Sequence, residues 1–408
     1  MGREKTVENY DVVIIGGGPA GLSAAIYAGR ARLKTLLLEK ALVGGLATYT
    51  NEIANYPGFP DNPKGETITD LMKNQAKNLG VTFKLTAVTS VNLHGEEKVV
   101  ETFRNKFLTK VIIIATGGRP RTTGGKNEEN YLFDKGISFC ATCDAAANTG
   151  KHVVVIGSGD AAIEEGMFLT KFASKVTVSV MHEEGKMDCN EIAKAAALAN
   201  PKMSFIWNTV VDGFEGDGHL KTVILRNVKT GELIPVDCDN CFEFIGYLPN
   251  SELFENQLPL TRQKYITVNS KMETGIEGVL AVGDITDKYL KQIATAVGDG
   301  AIAGTVAERY IAEKNIFDNQ IMQKEKTGLI FVYNAIDCDA RNFLADVEAI
   351  EKSASGNLHV SRIDTYKSNG LALKLELESV PAAVITKEGK ITQKIYGLHK
   401  DAILDALK

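Results

Sequence analysis

The stretch DVVIIGGGPAGLSAAIYAGRA narrows the possible folds more than any other part of the chain. Asp11 to Ile15 reads as a buried strand, Gly16, Gly18 and Gly21 as a tight turn, and the residues beyond Pro19 as a helix opening on that turn. The next strand, TLLLEK, ends at Glu39. In such a unit Gly16 makes the turn, Gly18 lets the backbone approach a pyrophosphate at the helix N-terminus, and Gly21 permits close helix–sheet contact. Glu39 stands where an acid takes ribose hydroxyls. A glycine turn without a ligand would explain the glycines but leave Glu39 unexplained, so the reading is an α/β dinucleotide-binding unit.

The strand–turn–helix pattern recurs in HVVVIGSGDAAIEEG, with Gly157, Gly159 and Ala162 at the same spacing. A nicotinamide nucleotide is the first hypothesis there. Just upstream lies GISFCATCDAAA, in which two residues separate Cys140 from Cys143 and Asp144 follows at once. Both thiols fall on one turn, which predicts a strained, exposed and readily reduced disulfide, and in the reduced form a nucleophilic thiolate of low pKa. Asp144 is a candidate proton donor to a departing thiolate. A lone C-x-x-C also suits half a zinc site or two core cysteines. No second ligand pair has zinc spacing to this one, and its place at the entrance of a dinucleotide unit favours redox chemistry.

At 408 residues and 44% apolar content the chain can bury more than one core, so two or three domains are expected. A net charge of -5 and a pI near 5.8 argue against nucleic-acid binding. No stretch approaches the roughly 20 apolar residues of a membrane span, so a cytoplasmic protein is expected. MGREKT fits the loose myristoylation pattern, which is short enough to arise by chance. Six cysteines are too sparse for a disulfide scaffold. The second C-x-x-C, Cys238 and Cys241, reads as structural, and neither it nor the histidines show a metal spacing, so no metal is expected.

The segments GGGPAG, NYPG, IIIATG, CATCD, GSGDAA, IGYLPN and LAVGDI occur in the order and spacing of low-molecular-weight thioredoxin reductases, and the chain resembles that family over about residues 8–312. The resemblance implies FAD on the first glycine turn, with Gly45, Asn55, Ala115, Thr116, Gly117, Gly283, Asp284, Lys291, Gln292 and Ala294 to Ala296 around the flavin. It implies two Rossmann-like domains, one inserted in the other: residues 1–117 with 247–315 for FAD, and 118–246 for the nucleotide and the disulfide. Cys143 would face the flavin, Cys140 would attack the partner's disulfide, and the inserted domain would rotate on hinges near Gly117 and Gly246. A homodimer is also implied. Lys291 stands where the family has Arg, and Leu46 where it has Gln.

A further departure concerns the nucleotide. NADPH-dependent members carry an HRRxxxR segment after the second strand of the inserted domain, whereas this chain reads HEEGKMD. Glu183, Glu184 and Asp188 replace the arginines that clamp a 2′-phosphate. Carboxylates repel that phosphate, while one of them, assigned to Glu183, can accept hydrogen bonds from the free ribose hydroxyls of NADH. NADH is therefore expected, with NADPH disfavoured. The alternative is a solvated charged turn beside a vestigial site.

Residues 327–408 resemble thioredoxin, with Val380-Pro381 at that family's cis-proline position. Where thioredoxin has two cysteines, this chain has Cys338, Asp339, Ala340 and Arg341. The resolving cysteine is absent, so a second thiol must come from elsewhere, and Cys140 of the same chain or of a dimer mate is the nearest candidate. The combined expectation is a flavin-dependent reductase passing electrons from NADH through FAD and Cys140-Cys143 to a thioredoxin-type protein. Two rivals are the same reductase fed by ferredoxin or another flavoprotein, and a non-enzymatic flavin sensor or docking protein in which the lone Cys338 only responds to oxidation.

Overall fold

The computed structural model describes residues 5–50, 53–132, 134–323, 325–354, 356–366 and 372–408, so Gly2 of the myristoylation pattern lies outside the described residues. The chain divides into two compact units, residues 1–307 and 308–408.

In the first unit the strand Thr6–Ile15 is longer than the apolar run that announced it, because Thr6 to Tyr10 pair with the equally long strand Asn105–Ile114. It also pairs in parallel with Thr35–Glu39, which continues to Thr82–Leu85. On the far side of Asn105–Ile114 lie Lys98–Thr102 and Val88–Asn92, both antiparallel, and Val279–Ala281 adds a parallel strand to the same neighbour. Val13, Ile15, Leu36, Leu38, Ile112 and Ile114 form one core against Phe107 and Phe254, all nearly or wholly buried. Burying each such side chain contributes roughly 1.5–3 kcal/mol. The opposite face receives the helix Pro19–Arg30 and the long helix Ile293–Ile316, which approach closely: a Cβ on Gly300 would lie 2.2 Å from Ala20 O.

Residues 118–249 supply a second parallel sheet, with spatial order Met203–Trp207, Lys175–Val180, His152–Ile156, Asn240–Glu243 and Ile137–Ser138. The sequence leads away from His152–Ile156 in one direction and returns on its other side, so the chain order reverses between His152–Ile156 and Asn240–Glu243. Ligands of open α/β sheets bind in the crevice at the carboxyl ends of the strands at such a point. The second glycine turn, Gly157 to Gly159, sits there. An antiparallel meander, Thr209–Gly216, Leu220–Asn227 and Leu233–Asp237, shares the core of Val154, Ile156, Phe214, Val223 and Cys241. The pairing of Gly118–Pro120 with Tyr247–Pro249 makes a two-stranded ribbon where the chain enters and leaves this region.

The second unit has a four-stranded sheet ordered Leu358–Asp364, Thr327–Tyr333, Ala382–Lys387 and Lys390–Tyr396. Leu329, Phe331, Phe343, Val347, Ile385 and Ile403 fill one face of it, while Ile330, Val332, Ile363 and Val384 fill the other. The Val380-Pro381 peptide is cis. The segment between Asn315 and Thr327 is partly helical, because the helix runs to Ile316 and continues as a π turn, Phe317–Ile321. Ile321 is nearly fully buried in the second unit's core, which explains why that segment is not a free linker. Among the described residues no helix is long and apolar enough to cross a membrane.

Candidate redox and nucleotide site

Cys140 and Cys143 form a disulfide, with 5.3 Å between their Cα atoms. Thiols at i and i+3 meet because Cys140 caps a single helical turn, Ala141–Asp144. That turn is fixed from below: Ala141 and Ala145 share one face and are buried with Val153, Val155 and Ala162. The cysteines are half-buried, which corrects the expectation of an exposed pair. Their cover comes from far along the chain. Gln292 donates to Thr142 Oγ1 at 3.3 Å and to Cys140 Sγ at 3.9 Å, and accepts from Asn55 Nδ2 at 3.0 Å.

Asp144 accepts a hydrogen bond from Ser138 Oγ at 2.6 Å. Burial raises its pKa, and the Ser138 bond only partly opposes this, so Asp144 holds a proton closer to neutrality than an exposed aspartate does.

A cavity of about 810 Å³ joins the disulfide to the first glycine turn. Gly16, Gly18, Glu39, Gly45, Asn55, Ala115, Thr116, Gly117, Gly283, Asp284, Lys291 and Gln292 line it together with Cys140, Cys143 and Asp144. Gly16 has φ of +111°, and a Cβ there would lie 2.2 Å from Ala115 O, so only glycine fits. Gly18 leaves open space at the N-terminus of the helix Pro19–Arg30. Glu39 receives Gly17 N at 2.7 Å and Ala41 N at 2.9 Å. Deeper in, Asp284 keeps one oxygen, Oδ1, buried without a partner, while Oδ2 accepts from Tyr247 at 3.4 Å. Burial raises the pKa of Asp284 despite the nearby Lys291 and Lys288. An open helix terminus, an acid at the ribose end and an orphaned buried acceptor together fit a flavin dinucleotide. Lys291 stacks over Tyr265 at 4.2 Å from Nζ to the ring centre, with weak contacts to Thr286 O and Lys288 O.

Several sequence-assigned residues lie outside that cavity. Gly21 packs helix to strand, since a Cβ there would lie 2.0 Å from Gly16 O. Ala294 is exposed and does not line the cavity; the helix that begins at Ile293 turns it outward and presents Ile293 and Ala296 instead. Gly157, Gly159 and Ala162 form their own turn, with Gly157 against Phe244 O, Gly159 open and Ala162 fully buried. Glu183 meets Lys186 Nζ at 2.5 Å and Lys229 Nζ at 3.5 Å. In the second unit Cys338 is exposed, and Arg341 donates to its Sγ at 3.0 Å.

Sequence reasoning missed two acids on the cavity wall. Glu165 keeps Oε2 buried and unpartnered, and burial raises its pKa. Glu243, 2% exposed, has its pKa pushed up to about 9 by burial and by the neighbouring Glu128. The signal for Glu243 was an acid inside the apolar strand NCFEF. The second cysteine pair is buried and unbonded; burial pushes Cys238 up to about 12 and raises Cys241 well above the usual thiol range. Among the described residues no cluster suits a metal ion.

A redox disulfide and two glycine turns in one α/β unit define a disulfide oxidoreductase of the dinucleotide-binding class. The chain matches the pyridine nucleotide-disulphide oxidoreductase family over residues 10–300 and the thioredoxin family over residues 308–408. It is 40% identical over 308 residues to a thioredoxin reductase of Peptoclostridium acidaminophilum, covering 74% of this chain and 97% of the relative. It is 41% identical over 314 residues to that of Bacillus subtilis, covering 77% and 97%. The solved thioredoxin reductase of Streptococcus pyogenes superposes with a TM-score of 0.71 at 35% identity, covering 74% of this chain and 98% of that one. The chain belongs to the thioredoxin reductase family and carries a thioredoxin domain behind its reductase portion. It is therefore an FAD-dependent disulfide reductase of the pyridine nucleotide-disulphide oxidoreductase family, joined to a thioredoxin domain.

Proposed function

We propose that this protein is a cytoplasmic, homodimeric reductase that takes electrons from NADH in preference to NADPH and delivers them through Cys140-Cys143 to a thioredoxin-type protein disulfide. In this reading residues 1–117 and 247–315 hold FAD, residues 118–246 hold the nucleotide and the disulfide, and residues 327–408 form the thioredoxin-like domain. The observation that carries it is the half-buried disulfide sharing one cavity with the first glycine turn and Asp284. When bound, the flavin supplies hydride acceptance from the nicotinamide and two-electron reduction of a disulfide.

The chain's own groups then perform an exchange that balances. Reduction of the Cys140–Cys143 bond takes two electrons and two protons and leaves two thiols. Cys140 as thiolate attacks one sulfur of the partner's disulfide and expels the other as thiolate, which Asp144 protonates. Cys143 then attacks Cys140 Sγ, re-forming the intramolecular bond and releasing the partner's second thiol. Glu39, Gly45, Asn55, Ala115, Thr116, Gly117, Asp284 and Lys291 bind and orient the flavin dinucleotide, with Gln292 between it and the disulfide. Cys338 as thiolate attacks one sulfur of a partner disulfide, forming a mixed disulfide and expelling the other sulfur as thiolate, and it needs a second thiol from outside its own turn to break that mixed disulfide.

Anaerobic NADH added to the yellow protein should bleach the flavin band, and NADPH should need about 10- to 100-fold more to reach the same rate. Equal or better reduction by NADPH would end the claim of NADH preference. Bleaching by reduced ferredoxin alone would shift the donor to that protein and leave the disulfide chemistry standing.

A further inference from the structure

The two carboxylates most concerned with nucleotide choice have separate fates. Both oxygens of Glu183 are committed to cations, Oε1 to Lys186 and Oε2 to Lys229. Asp188 is fastened to the second glycine turn itself. Its N–H donates to Ser158 O at 3.0 Å, and its Oδ2 accepts from Ser158 Oγ at 3.1 Å and from His182 Nε2 at 2.9 Å. Ser158 is the residue between Gly157 and Gly159. Both side-chain bonds use Oδ2, and Oδ1 makes no hydrogen bond among the described residues. The side chain is 62% exposed, so Oδ1 is open to a ligand.

The loop is held from its other end as well. Asp160, the first residue of the helix after the turn, accepts from Asn190 N and Asn190 Nδ2, each at 2.8 Å. Residues 188–190 are thus tied to both sides of the turn, and the position of Asp188 is set before any nucleotide arrives. In a Rossmann unit the adenosine ribose lies between the glycine turn and the segment after the second strand, which is where this loop lies. We infer that Asp188, and not Glu183, is the specificity-determining residue that accepts the hydrogen bond of the adenosine 2′-hydroxyl and repels a 2′-phosphate. The inference rests on the reading that a pyridine nucleotide is the donor. Hydrogen bonding from His182 holds the Asp188 carboxyl below the usual range, so it is an anion at neutral pH.

Calorimetry on the full-length, FAD-loaded protein with NAD⁺, NADP⁺ and 2′-deoxy-NAD⁺ (lacking the adenosine 2′-hydroxyl) tests this directly. Wild type should bind NAD⁺ about tenfold or more tightly than either analogue. In Asp188→Ala the advantage of NAD⁺ over 2′-deoxy-NAD⁺ should vanish, whereas Glu183→Gln should keep it. A merely structural role for Asp188 would weaken NAD⁺ and 2′-deoxy-NAD⁺ alike and leave their ratio unchanged, which would overturn the inference. Asp188→Asn keeps the shape and an acceptor but removes the charge, so it should narrow the gap to NADP⁺; an unchanged gap also overturns it. Failure of all three nucleotides to bind the wild type would instead remove the donor reading.

Discussion

Cys140 caps one helical turn beside a cavity and Cys143 lies within that turn, whereas Cys238 and Cys241 straddle the entry to the strand Asn240–Glu243. The spacing is identical. A helical turn brings i and i+3 to one face, where two sulfurs can bond; an extended path advances about 3.3 Å per residue and keeps them as separate thiols. Surroundings complete the difference. Cys140 touches Thr142 and Gln292, while the second pair is packed among Tyr131, Phe214 and Val223, where burial strongly disfavours the thiolate. Each pair also has an acid close behind it, Asp144 after Cys143 and Glu243 after Cys241. Backbone conformation and solvation, rather than spacing, separate a redox pair from a packing pair.

The largest test of that contrast is removal of the sulfurs. Cys140→Ser and Cys143→Ser should each lower reduction of the partner disulfide by more than about 1000-fold while leaving flavin bleaching by the donor intact, because hydride transfer needs no thiol. Cys238→Ala and Cys241→Ala should stay within about threefold of wild type in the same assay. Loss of turnover in the second set would break the comparison.

A smaller effect is expected at the first acid. Asp144→Asn should slow exchange with the partner about 10- to 100-fold. Because burial raises the Asp144 pKa, the wild-type rate should fall as pH rises through that raised value, and the variant's profile should lack this descending limb. A parallel pH profile in the two proteins would take the proton role from Asp144.

The smallest effect concerns stability at the second acid. Glu243 titrates near 4.5 when unfolded and at about 9 when folded. A raised folded pKa gives stability that is fully present below about pH 4.5 and is lost as pH rises toward and through about 9. Glu243→Gln is neutral throughout, so it should gain on wild type by about 1.4 kcal/mol between pH 6.5 and 7.5 in urea unfolding. A constant difference across that range would show that Glu243 is not held as a neutral acid.

Much of the frame was legible because it depends on local chemistry. The glycine turns need φ and close approaches that other residues cannot supply, and the Cys140-Cys143 spacing suits a turn. What escaped was set by packing at a distance. Glu183 and Asp188 are both acids after the same strand, and only the positions of Lys186, Lys229 and Ser158 tell them apart. Ala294 follows Gln292 by two residues, so a helix starting at Ile293 sends the two side chains in different directions. The cover over the disulfide was unreadable for the same reason, since Gln292 and Asn55 are remote from Cys140 in sequence.

That remoteness has a kinetic side. The Cys140–Cys143 bond closes a loop of sequence separation 3, whereas the Gln292 contacts with Cys140, Thr142 and Asn55 span 152, 150 and 237 residues. Local contacts form early in folding and distant ones late, because the entropy of long loop closure must be met first. A chain emerging from denaturant therefore meets oxidants with its thiol pair assembled and its amide ceiling still missing. For that interval any small thiol or disulfide in solution can reach both sulfurs, and discrimination among them begins only when the start of the long helix arrives.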